Sequence, residues 1–69
     1  MTDHVYKLTE IVGTSHEGIE PAINKAIARA RQTLHNIHWF ETVNVRGMVD
    51  KEGKIQYQVT LKIGFTLDD

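Results

Sequence analysis

Few residues of this chain have chemistry to offer beyond packing. Trp39 is its only tryptophan and stands directly before Phe40 in the stretch "HNIHWFETVNVRG", residues 35–47. Alternation along an extended segment sends neighbouring side chains to opposite sides, so only one of this pair easily faces a core. A tryptophan is ordinarily core or interface filling. Left uncovered, its flat, electron-rich indole becomes a platform for an electron-poor planar ring. Such stacking contributes on the order of 1–3 kcal/mol per ring, so two facing indoles would hold a ring better than one.

Gln58 and Arg46 are the other two candidates. The Gln58 amide offers a donor beside an acceptor, enough for a paired contact with a complementary ring edge. Its plain role is a solvated residue on an outer sheet face. Arg46 can stack on a ring or meet a phosphate, and can equally pair with Glu10, Glu41 or an acid of a neighbouring chain. His35 and His38 are three apart, a metal-holding spacing on a continuous helix, but the helical pattern stops there and no third ligand follows at a matching distance. His35 reads instead as a cation-capable residue at a helix C-terminus. Thr14 and Ser15 have no base nearby to make a nucleophile. Tyr6 and Tyr57 read as packing residues, and Lys7 and Lys62 as outward cations. Glu17, Glu20, Asp50, Glu52, Asp68 and Asp69 read as surface and turn residues.

The elements that must position these groups are legible in the pattern. Residues 4–13, "HVYKLTEIVG", are rich in β-branched and aromatic types and read as a strand, followed by a turn at "TSHEG". Ile19, Ile23, Ala26, Ile27, Ala30 and Leu34 then fall on one helical face. Proline is tolerated only in a helix's first turn, so Pro21 places the N-cap at Gly18, with Thr14 and Ser15 organising the preceding turn through their hydroxyls. The helix is expected to end near Leu34 or His35. "WFETVNVRGMV" reads as a second strand and "DKEGK", residues 50–54, as a hairpin turn, with Gly53 free to take a positive φ. In "IQYQVTLKIGFTL", Ile55, Tyr57, Val59, Leu61, Ile63, Phe65 and Leu67 share one face, and Gln58 lies on the other. The fold class is α+β, in the order β-α-β-β: a three-stranded antiparallel sheet curled over one helix, a single domain over residues 1–69.

Composition narrows the function. A chain of 69 residues is marginal without a staple, and with no cysteine it has neither disulfide nor thiolate metal site. That leaves association with further copies as the expected source of stability, favoured also by exposed strand edges. A net charge of −1 argues against a protein that grips the phosphate backbone. No apolar run approaches spanning length, and the N-terminus has no signal-peptide core. The chain is expected to be complete, soluble and cytoplasmic.

Taken in order, "GTS", W-F-E, V-R-G and Y-Q-V, with "EGIEPAINKAIARARQTL" between the first two, make the chain resemble the dodecins over almost its whole length. These are small flavin-binding proteins that assemble into hollow homododecamers. The resemblance implies that Trp39 stacks on an isoalloxazine ring and that Gln58 bonds its polar edge. It further implies flavins bound in pairs between indoles of neighbouring subunits, and Arg46 as the arginine of the bacterial-type members. It implies FMN or riboflavin as the cofactor, quenched and stored rather than turned over, and leaves open a second ligand such as coenzyme A. Many bacterial relatives read "GFRL" where this chain reads "GFTL", so Thr66 stands where they carry a cation. Two rival classes remain: a nucleic-acid binder using an aromatic sheet face, and a structural oligomer or dimeric enzyme acting on a small aromatic substrate.

Overall fold

A computed structural model of the chain describes residues 3–67, so Asp68 and Asp69 lie outside the described residues. Its elements are β1 (Tyr6–Ser15), α1 (Ile19–Ala30), β2 (Ile37–Val49) and β3 (Ile55–Thr66), in the expected β-α-β-β order. The three strands form one antiparallel sheet in the order β1-β3-β2, so the last strand of the sequence is the central one. Asp50 and Gly53 close the β2–β3 turn: Asp50 Oδ1 accepts from the backbone N–H groups of Glu52 and Lys54, and Gly53 has φ 85°.

Packing explains which side of β3 is buried. Val59, Leu61 and Ile63 are fully covered, and Ala22, Ala26 and Ala30 of α1 are buried in the same core. The buried stripe of the helix is therefore its alanines, spaced four apart, whereas Ile23 and Ile27 pack only partly against the core and Ile19 is exposed. Small residues let the helix approach closely. A Cβ at Gly13 would collide with the carbonyl oxygen of Ala22 and with Ala26 Cβ, so the strand position facing the helix has to be glycine. The helix packs on β1 and β3, and β2 is exposed along nearly all of its 13 residues.

Several boundaries differ from the sequence expectation, β1 beginning at Tyr6 and β2 at Ile37 rather than at His4 and Trp39. β1 runs on through Thr14 and Ser15, paired with Gln58 and Tyr57 of β3. Ser15 nevertheless makes a turn contact, its Oγ accepting from Glu17 N–H at 3.0 Å. The regular helix stops at Ala30 rather than at Leu34 or His35. A tighter turn follows, in which Gln32 and Thr33 donate to the carbonyls of Arg29 and Ala30. Asn36 then takes φ 63°, a left-handed conformation asparagine tolerates, and turns the chain into β2. Leu67 falls beyond β3 and is exposed.

The chain is drawn out. Its radius of gyration is 14.4 Å, against about 11 Å for a compact chain of this length. Its accessible surface of 5303 Å² exceeds the roughly 4,400 Å² typical of a folded monomer of this mass. Large apolar side chains are exposed on all three strands, with Val43, Val45, Met48, Val49 and Ile55 gathered on the β2–β3 hairpin. Among the described residues no helix is long and apolar enough to cross a membrane.

Candidate functional site

Directly paired residues of an antiparallel sheet project to the same side, so the register says which side chains share a face. Val59, Leu61 and Ile63 face the helix; Gln58, Thr60, Lys62, Gly64 and Thr66 face away from it. Trp39 pairs with Gly64 and Arg46 with Gln58. Trp39, Arg46 and Gln58 therefore all belong to the outer face, away from α1.

Two β-bulges produce this. The register slips between Ile37 and Trp39, leaving His38 as the extra residue, and again between Thr42 and Asn44, leaving Val43 as the extra residue. The first slip turns Trp39 outward opposite Gly64, while Phe40 opposite Ile63 turns to the helix side. Trp39 and Arg46 are an odd number of residues apart, so simple alternation would put them on opposite faces. The extra residue at Val43 returns Arg46 to the face of Trp39.

The indole lies on the central strand. Its atoms Cε2, Cζ2 and Cη2 all lie over the place a Cβ of Gly64 would occupy, so the ring meets the Gly64 backbone with its plane. Trp39 remains 39% exposed. Across β3, its ring centroid is 5.0 Å from that of Tyr6, with the planes at 68°. The edge strands β1 and β2 stand two strand spacings apart, about 9.5 Å. The two rings meet on a diagonal over β3, Tyr6 being paired with Thr66 and Trp39 with Gly64, which puts no side chain under the indole. Tyr6 also contacts the bulged His38, at 5.6 Å and 80°, and His4 at 6.2 Å. Thr66, opposite Tyr6, is buried.

Gln58 donates through Nε2 to Met48 Sδ at 2.9 Å. A thioether is a weak acceptor, so this amide can exchange it for a better partner at little cost. Of the pairings open to Arg46, those with Glu10 and Glu41 of its own chain do not form. Among the described residues the one ion pair is the exposed Lys54–Glu52 contact at 4.0 Å. Glu10 and Glu41 instead flank Lys62 in a row across the outer face. No three His, Cys, Asp or Glu among the described residues gather where one metal ion could sit.

Within one chain the structure brings Arg46 and Gln58 together but not Trp39 and Gln58. Gln58 and the Gly64 beneath Trp39 are six residues apart on β3, which at strand rise is about 20 Å. Two site residues escaped the sequence reading, Gly64 and Tyr6. Gly64 had left a signal: a glycine inside an otherwise alternating strand marks a close approach. Tyr6 left none, because only the pairing order β1-β3-β2 brings it near Trp39.

A family model described as Dodecin matches residues 5–68. A protein named Dodecin from Thermus thermophilus is 51% identical over 65 residues, covering 94% of either chain. The structure of dodecin from Streptomyces davaonensis matches with a TM-score of 0.91 and 51% identity, over 99% of this chain and 100% of that one. A protein named Calcium dodecin from Mycobacterium tuberculosis is 35% identical over 63 residues, 91% of this chain and 89% of its own.

Proposed function

The chain belongs to the dodecin family, and we propose that it is a non-catalytic, cytoplasmic flavin-binding protein that stores and sequesters FMN or riboflavin. The observation that carries this is the placement of Trp39. One plane of its indole is seated on the Gly64 backbone, and the ring is still 39% exposed, on the outer face that also holds Gln58 and Arg46. A ring resting on glycine has a firm floor and a free upper side, which is what a stacking platform requires. Flavin, when bound, supplies the light-absorbing heterocycle, and stacking against indole quenches its emission. Trp39 holds the ring, Gln58 gives up Met48 Sδ for the polar ring edge, and Arg46 beside it adds a fixed positive charge.

The separation of about 20 Å between Trp39 and Gln58 along β3 is longer than a fused three-ring heterocycle, so the indole and the amide at one ring come from different chains. The drawn-out shape and the exposed apolar hairpin support the same conclusion. The proposed form is a homo-oligomer, a hollow dodecamer of one-domain subunits, with flavin pairs held between Trp39 rings of neighbours. Calcium, in the name of the M. tuberculosis relative, is less well supported here, because Lys62 stands between the two acids of its row, Glu10 and Glu41.

The test is the absorption spectrum of freshly purified protein, followed by FMN titration and a mass in solution. The expected result is a flavin band, FMN emission that falls to saturation, and a particle about twelve times the 7.9 kDa chain. Protein that stays colourless with FMN and leaves its emission undiminished would overturn the proposal.

A further inference from the structure

We infer that Tyr6 is the positioning residue of the Trp39 platform: its ring, reaching across the window left by Gly64, locks the indole in the plane that a flat ligand needs. The indole has two constraints on the outer face. Gly64 supplies the floor beneath the ring, but a floor without a side chain does not stop the ring sliding across it. Tyr6 supplies the missing stop. Its ring meets the indole at 5.0 Å and 68°, an edge-to-face arrangement within the favoured range for aromatic pairs. Tyr6 is itself held from a second direction by His38, at 5.6 Å and 80°. That contact exists because the bulge leaves His38 as the extra residue immediately before Trp39. The strand that carries the platform and the strand that steadies it are not neighbours in the sheet, so the clamp also ties β1 to β2 across β3.

This inference rests on the flavin reading for its functional consequence but not for its structural content, and the test separates the two. Trp39 is the only tryptophan, so indole fluorescence reports this one site in the ligand-free protein. Tyr6→Leu keeps apolar bulk and removes the aromatic stop; Tyr6→Phe keeps the ring and removes the hydroxyl. The expected result for Tyr6→Leu is unchanged particle mass and far-ultraviolet circular dichroism, faster fluorescence anisotropy decay of Trp39, a weaker near-ultraviolet signal, and FMN affinity reduced about five- to tenfold. Tyr6→Phe restores the slow anisotropy decay and the affinity. An anisotropy decay in Tyr6→Leu matching the parent, in assembled protein, overturns the inference, as does a Tyr6→Phe variant as loose as Tyr6→Leu. Should the parent fail to bind FMN while Tyr6→Leu still frees the indole, the clamp stands and the flavin reading falls. Should Tyr6→Leu fail to assemble, Tyr6→Met and Tyr6→Phe are compared by the same anisotropy measurement, and equal decay in those two overturns it.

Discussion

The Trp39 indole rests with its plane on the backbone of Gly64, the residue directly opposite it in the β2–β3 register. A bulky aromatic facing a glycine across a non-edge strand closes a gap and opens a surface together. The ring fills the hollow above Gly64 and presents its other side outward, beyond the reach of α1 on the far face of the sheet. The core of Val59, Leu61 and Ile63 is complete without it.

Gly64→Ala should therefore displace the platform without destroying the fold. The added methyl meets three ring atoms of Trp39, and the ring, being partly exposed, can tilt away. The expected outcome is an assembled protein destabilised by about 1–3 kcal/mol, the usual range for overpacking. FMN affinity is expected to fall at least about tenfold, since ~1.4 kcal/mol of lost stacking corresponds to that factor. A thermal melt and an FMN titration on the same preparation measure both.

Trp39→Ala removes the platform itself. Its side chain lies outside the buried core, so the variant should assemble to the parent mass and leave FMN emission unquenched. Trp39→Phe should bind with an intermediate affinity, because a smaller ring retains part of the stacking area. A Trp39→Ala chain that cannot fold would show that the ring serves the core after all.

Gly13→Ala probes the opposite face. Its methyl would meet the Ala22 carbonyl and Ala26 Cβ, where backbone cannot yield cheaply. The helix must lift from β1, so the melting temperature should fall by several degrees, a loss of about 1–3 kcal/mol. FMN affinity measured well below the melt should stay close to the parent value, because Trp39 and Gln58 lie on the other side of the sheet.

The alternation of β3, the turn at Gly53 and the start of α1 after Gly18 were readable because each depends on local chemistry: side-chain period, positive φ and proline placement. The helix face reads as Ile19, Ile23, Ala26, Ile27, Ala30 and Leu34; of these the sheet buries Ala26 and Ala30, together with Ala22, since close approach at Gly13 selects small residues. The faces of β2 could not be read at all. Its two bulges, at His38 and Val43, each reverse the alternation, and nothing in "HNIHWFETVNVRG" announces them. Tyr6 reads as a packing residue in the sequence because its partner becomes visible only once the central position of β3 is known.

The distance between Trp39 and Gln58 yields the most discriminating prediction. If one flavin is served by both, the two come from different chains, because about 20 Å of β3 separates them in any one chain. Gln58→Ala alone removes a neutral hydrogen-bonding partner, which at about 1–1.5 kcal/mol weakens binding roughly tenfold. Trp39→Ala alone abolishes it. At an FMN concentration between the parent and Gln58→Ala dissociation constants, Trp39→Ala should not quench and Gln58→Ala should stay less than half saturated. Chains of the two variants, unfolded together and reassembled, form mixed particles. Some of their sites then join an intact indole from one chain to an intact amide from another. The expected outcome is quenching by the mixture well above the mean of the two separate variants, with parent-like affinity for that fraction of sites. Quenching equal to that mean, in particles shown by mass to be mixed, would place the indole and the amide of each site on one chain and defeat the inter-chain assignment.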